Sequence, residues 1–359
     1  MDEFHTPIIK KRHTDEVTMV RFNPTNDLLA TMSLDQSLRF FDPRFVEQIH
    51  LINTAAEVTS FTFSTKGTYF IAGLHNCKFL IGTVHPIKII QVFSFDFGVP
   101  RQVWLAEDKS YAIFLTHEGY LISFNCKTKK IILKLHLDWV QARKSFISKD
   151  GRILFAYSKK NIIHLLKIGT GKIYQSLPYN LPNIYRMHFY EQIHTLYCAN
   201  IDGELLMINL HDNTLNTKRI CKDPIYAFDL NLIHQIMITG GRYCPVRTWD
   251  LRDYSLIEKF DEISDTCLDL HVSHNGLFFA AGTSEGYVCI FPIHRKLHID
   301  EKITHRTYFD YLEEEPKKHL KNKVIAEDEA EFILCPYCSA QVEKSNIYCE
   351  YCGVDLTEN

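Results

Sequence analysis

The 359-residue chain reads as an all-β protein built on an internal repeat, followed by a charged tether and a small second module. Three observations carry this reading. A strand–turn–strand pattern returns at a nearly constant interval, and no helical apolar period exceeds about a dozen residues before position 305. Four of the eleven cysteines fall within the eighteen residues 335–352, apart from the seven scattered upstream.

The first repeat occupies residues 13–42, HTDEVTMVRFNPTNDLLATMSLDQSLRFFD. An apolar alternation runs into an Asn-Pro-Thr-Asn turn, a second short strand, a tight Ser-Leu-Asp-Gln-Ser turn and a third strand ending Phe41-Asp42, an antiparallel meander. The last strand recurs with penultimate residues Phe41, Ile81, Phe124, Leu166, Ile208, Trp249 and Phe291, spaced 40, 43, 42, 42, 41 and 42 apart. Six residues before each sits a tight-turn position, acidic at Asp35, Glu118, Asp202 and Glu285, and followed by Gly in the last three.

Composition fits a folded chain: 46% of residues are hydrophobic and 23% charged. No run of about 18 apolar residues suggests a membrane span. The Met1–Thr6 segment lacks the basic-then-apolar order of a secretory signal, so the expected location is intracellular, cytoplasmic or nuclear. An odd cysteine count in such a compartment argues against a disulfide framework.

On these motifs the sequence resembles the WD-repeat family of β-propellers, whose repeat has four strands and about 40–45 residues. The signature dipeptide is intact at Trp249-Asp250 and softened to Phe41-Asp42. The resemblance covers residues 6–297 and implies seven blades. It implies a His–Ser–Asp–Trp hydrogen-bonded tetrad only in the first repeat, at His13, Ser33, Asp35 and Phe41, where Phe41 has no N–H to donate. Thr6–Lys11 is expected to supply the outer strand of the last blade and close the ring, removing an open sheet edge. The expected divisions are 1–297 for the propeller, 298–331 for a charged, partly helical connector and 332–359 for the second module.

That module reads Cys335-Pro-Tyr-Cys338, ten residues, then Cys349-Glu-Tyr-Cys352. Two CxxC pairs place four thiolates on one soft cation, and with every position filled by protein the metal is structural rather than catalytic. The expectation is one Zn²⁺ on Cys335, Cys338, Cys349 and Cys352, with a rubredoxin-type iron as the alternative. The pattern resembles short zinc ribbons, in which the metal supplies much of the folding free energy.

The net charge of −3 is unevenly distributed. The connector holds ten acidic and six basic side chains and the C-terminal module four and one, which leaves the first 297 residues at +4. Aligning the repeats places Arg101, Arg143, Tyr185 and Tyr226 at equivalent positions early in the innermost strand, with Arg242, His117 and Lys159 just before the tight-turn residue of their blades. Arg and Tyr often anchor interfaces. No GxSxG, GxxxxGK[ST], GxGxxG or HExxH motif is present. The expected function is therefore a non-enzymatic scaffold that binds an acidic or phosphorylated protein segment within a larger complex. Two alternatives stand beside it: a subunit of an RNA- or DNA-processing assembly, and an acidic tail that folds back on the basic face.

Overall fold

Strands of two to eight residues recur in groups of four because each needs both faces covered, and a neighbouring group is the nearest apolar surface. The computed structural model describes residues 7–293 except 27, 44–46, 95, 233, 243, 264 and 274, with backbone alone at 244, 245, 332–334 and 341–343. Within 7–293 these form seven four-stranded antiparallel sheets, the blades of a propeller. The first strands run Val17–Phe22, Val58–Phe63, Pro100–Leu105, Phe146–Ile147, Ile184–Tyr190, Ala227–Asn231 and Cys267–Val272. First strands of adjacent blades touch one another, except that residues 142–144, just before the first strand of blade 4, make the contact to blade 5, so this inner layer lines the channel at the centre.

The expected closure is present. Ile8–Lys11 pairs antiparallel with Tyr287–Pro292, from Ile8 opposite Ile290 to Lys11 opposite Tyr287, and becomes the fourth strand of blade 7. Seven hydrophobic clusters follow, one at each junction between consecutive blades, including the 7–1 junction where Val17, Leu29 and Phe41 meet Phe278, Ala280 and Ile290. The core is a ring of seven interfaces. The only helical elements among the described residues are two single 3₁₀ turns, Ala142–Lys144 and Glu191–Ile193.

The register corrects the repeat alignment at one place. A bulge interrupts the third-to-fourth strand pairing just before Phe41, Phe124, Leu166 and Trp249, and in blade 2 it falls before Gly82 rather than Ile81. Phe41 pairs with Leu29 and Gly82 with Phe70, in each case twelve residues upstream. The ring of Phe70 lies where a Cβ on Gly82 would sit, so it occupies the space that the aromatic residue fills elsewhere. With Gly82 in place, every blade has a residue of positive φ five positions upstream wherever the turn is described: Gln36, Cys77, Gly119, Asn161, Gly203 and Gly286. A Cβ on Gly203 would meet the Cys221 carbonyl oxygen at 2.3 Å, which explains the glycine there.

The connector, with its expected helix, and the four C-terminal cysteines lie outside the described residues. Backbone Phe332–Leu334 and Gln341–Glu343 pair as a hairpin, with Ile333 opposite Val342.

Candidate functional site: the channel and its upper mouth

Each first strand enters at the face where second strands end and third strands begin, here the upper face. Blades 1, 2, 3, 5 and 7 each carry a bulge at the second residue of this strand, which turns one side chain out at the channel mouth. The bulged residues are Thr18, Thr59, Arg101, Tyr185 and Leu268, and the same register gives Arg143 and Tyr226 in blades 4 and 6. Arg143 and Tyr226 are not in strands as expected. Arg143 sits in the Ala142–Lys144 turn because Ser145 Oγ bonds the Gln141 carbonyl oxygen at 2.9 Å and accepts the Tyr157 N–H at 2.9 Å, which shortens the strand to Phe146–Ile147. Tyr226 directly precedes its strand.

The predicted residues therefore form a crescent across blades 3 to 6, in the order Arg, Arg, Tyr, Tyr. Arg143 is exposed. Arg101 is half-buried, and its Nε–H is enclosed without a hydrogen-bond partner. Burial and the nearby Arg143 cation lower the Arg101 pKa, while Glu118 and Glu57 oppose them. Tyr185 stacks on Tyr226 with centroids 4.7 Å apart and planes at 27°, yet stays 43% exposed. Arg242 is exposed at the end of the second strand of blade 6. Lys159 is exposed, and Ile201, at the matching position of blade 5, is 41% exposed.

Below the mouth lies a cluster that sequence reasoning missed. The first and third residues after each bulge position face the channel. In blades 5, 6, 7 and 1 these include Arg186, His188, Asp229, Asp269, His271 and Arg21. Asp269 is 1% exposed; it accepts hydrogen bonds from Arg21 Nη1, Arg186 Nη2 and the Val20 N–H, the last at 3.0 Å. Asp229 accepts from Val272 N–H at 2.7 Å, Leu230 N–H at 2.8 Å and Tyr190 O–H at 3.0 Å. Two carboxylates thus tie blades 5 to 1 across their junctions.

Enclosure shifts every group here. Burial lowers Arg21 and Arg186 to about 10, His188 to about 3 and His271 to about 4, so both imidazoles are neutral at pH 7. Burial alone would raise Asp229, but the His271 and His188 rings and the two backbone N–H groups hold it below its usual range. Burial and Asp229 push the Tyr190 phenol well up, keeping it a donor. The signal in the sequence was the register itself: alternate residues of an innermost strand cannot reach outer solvent.

The tetrad is also corrected. His13 Nδ1 lies 2.9 Å from Asp35 Oδ2, and its Nε2 lies 2.8 Å from Thr31 Oγ1, so Thr31 supplies the hydroxyl rather than Ser33. Ser33 Oγ instead accepts the Asp35 N–H at 3.0 Å and bonds the Asp15 carbonyl oxygen. Burial lowers His13 to about 4 against the pull of Asp35, so it is neutral, donating from Nδ1 and accepting from Thr31. Blade 6 holds the other half: Trp249 Nε1 donates to Thr239 Oγ1 at 2.8 Å, ten residues upstream, as Thr31 is of Phe41. Neither blade has the whole network, and apolar packing completes both.

The geometry defines a class, the closed seven-bladed β-propeller; propellers built of WD repeats generally serve as protein-interaction scaffolds. Residues 6–42, the closing strand with most of blade 1, match the family described as WD domain, G-beta repeat. No curated protein matches the chain. Among the described residues, no helix is long and apolar enough to cross a membrane and no group of three or more His, Cys, Asp or Glu is placed to hold a metal ion.

Proposed function

We propose that this protein is a non-enzymatic scaffold that captures an acidic or phosphorylated segment of a protein partner on the upper face of its propeller, through Arg101, Arg143, Tyr185, Tyr226 and Arg242. The observation that carries the proposal is the unbroken Arg–Arg–Tyr–Tyr crescent at one register position of four consecutive blades. Arg101 contributes a spare enclosed donor, and the Tyr185–Tyr226 stack offers a flat apolar shelf beside the cations. Charged donors orient and steer an acidic segment, and an aromatic shelf supplies buried area. Arg101 beside Arg143 is electrostatically unfavourable alone, and a carboxylate or phosphate between them relieves the repulsion.

The same proposal gives Cys335, Cys338, Cys349 and Cys352 one structural Zn²⁺. The antiparallel pairing of Phe332–Leu334 with Gln341–Glu343 supports it, because the six residues between the two segments in sequence include Cys335 and Cys338. The metal folds the module and performs no step on the partner.

Affinity purification with mass spectrometry tests both parts. The full chain is compared with Arg101→Glu/Arg143→Glu and with Cys335→Ser/Cys352→Ser. The face variant is expected to lose its partners while melting as the parent does; unchanged partners would sink the face reading. Metal analysis should find one zinc per parent chain and none in the cysteine variant, and red colour with bound iron would replace zinc by the rubredoxin-type alternative.

A further inference from the structure

We infer that the central channel is itself a binding site for a small oxyanion, held by Arg186, Arg21, His188 and His271. Both carboxylates of the cluster are turned into the wall and used up: Asp269 accepts three hydrogen bonds and Asp229 accepts three. Their donors are not used up. Arg186 bonds Asp269 through Nη2 alone, and its Nε–H is enclosed with no partner among the described residues. Arg21 bonds Asp269 and the Val20 carbonyl oxygen through the same Nη1. His271 accepts the Phe22 N–H on Nδ1 at 3.3 Å, so its proton is on Nε2, where no described residue receives it. His188 packs edge-on against Phe228, and among the described residues no hydrogen bond reaches its ring nitrogens.

A channel wall with surplus N–H groups and spent acceptors suits a ligand that only accepts. A phosphate or a carboxylate does so, and a planar guanidinium with a free edge matches either. The facing wall adds no carboxylate: at the same tiers it has Ser60 and Thr62 from blade 2, Gln102 and Trp104 from blade 3, and Phe146 and the cation of Lys144 from blade 4. Water reaches about a fifth to a quarter of the two arginine side chains, while the Arg186 Nε–H itself is enclosed and meets a ligand only when its cover is displaced. The cluster of Arg21, Arg186, Asp229 and Asp269 is neutral as a whole, so an incoming anion raises the proton affinity of His188 and His271, which remain neutral at pH 7. These face Asp229 from blade 6, Arg186 from blade 5 and Arg21 from blade 1. This site is independent of the upper-face reading and stands or falls separately.

The test is a histidine-ring NMR titration of the full chain, with the two resonances assigned through His188→Gln and His271→Gln. Sodium phosphate, sodium acetate and sodium chloride are added separately at one fixed ionic strength. Phosphate or acetate is expected to shift both rings saturably and to raise the His188 pKa by about one unit, a tenfold gain in proton affinity. Response to phosphate alone assigns a phosphoryl ligand, and response to acetate alone a carboxylate. Arg186→Lys keeps a cation for Asp269 but removes the free Nε–H, and should weaken the response at least tenfold. Equal shifts with chloride, or no saturable shift with either oxyanion in the parent, would overturn the inference.

Discussion

Every junction of the ring has an apolar cluster, but the two sides of the ring differ in what is added to it. Blades 5, 6, 7 and 1 are tied across their junctions by buried carboxylates, Asp229 reaching from blade 6 to the Val272 N–H of blade 7 and Asp269 from blade 7 to the Val20 N–H of blade 1. Blades 1 to 3 are tied by aromatic rings. Phe40 lies 5.4 Å from Phe70 at one junction, and Phe79 lies 4.3 Å from Phe114 and 5.5 Å from Phe124 at the next. The contrast matters because the costs differ in kind. An apolar junction loses contacts in proportion to what is removed, whereas an ionic one leaves charges without partners. The ring closes on its ionic side, where first and last blades must find each other in one register. Hydrogen bonds to named backbone groups specify that register better than apolar contact does.

The sharpest break in this comparison is Asp269→Ala. It strands two enclosed guanidinium groups and the Val20 N–H, so a loss of about 3–5 kcal/mol in urea unfolding is expected. On the other wall, Phe79→Leu keeps an apolar side chain at a fully buried position and should cost about 1–2 kcal/mol. If the two losses are equal, the walls do not differ as described.

Acidification separates the same regions. His188, His271 and His13 have folded pKa values of about 3, 4 and 4, below the 6.5 of an unfolded histidine, so the unfolded chain takes up protons first. Their contribution is complete above pH 6.5 and drains away as the pH falls toward 4. Each histidine adds a slope of up to about 1.4 kcal/mol per pH unit. The urea midpoint should therefore fall between pH 6.5 and 4.5, and less steeply in His188→Phe; a midpoint that stays flat in the parent contradicts the neutral imidazoles.

A smaller effect belongs to the divided tetrad. Trp249→Phe removes the N–H donated to Thr239 while keeping an aromatic ring, and should cost about 1 kcal/mol, the worth of one enclosed hydrogen bond. A melting temperature unchanged by this substitution would mean that the bond adds nothing to the packing around it.

Much of the ring was legible in the sequence because each blade meets the same two kinds of neighbour and so repeats the same apolar spacing. The register slipped by one residue only in blade 2, where Ile81 looks like the conforming residue and Gly82 conforms because Phe70 fills its space. Ser33 and Thr31 are equally good hydroxyls on paper, two apart and so on one face of the same strand; Ser33 Oγ is engaged by the Asp35 N–H and the Asp15 carbonyl oxygen, which leaves His13 Nε2 to Thr31. The crescent residues were found by register, but Arg143 was misplaced into a strand because the turn made by Ser145 has no period to read. The channel cluster went unseen for a related reason. Polar residues alternating along a strand look solvent-facing until the strand is known to be the innermost of four.

Recognition by the upper face is the central claim, and partner capture by three matched charge variants of the full chain tests it most directly. Arg101→Glu/Arg143→Glu reverses the crescent, Arg101→Gln/Arg143→Gln neutralises it, and Lys127→Glu/Lys130→Glu reverses an exposed pair at the opposite, lower face, Lys127 in the turn after Tyr120–Asn125 and Lys130 at the start of the next strand. Capture should be abolished by the first, reduced by the second and unchanged by the third. Equal loss from the lower-face variant would show that net charge, and not the crescent, draws the partner.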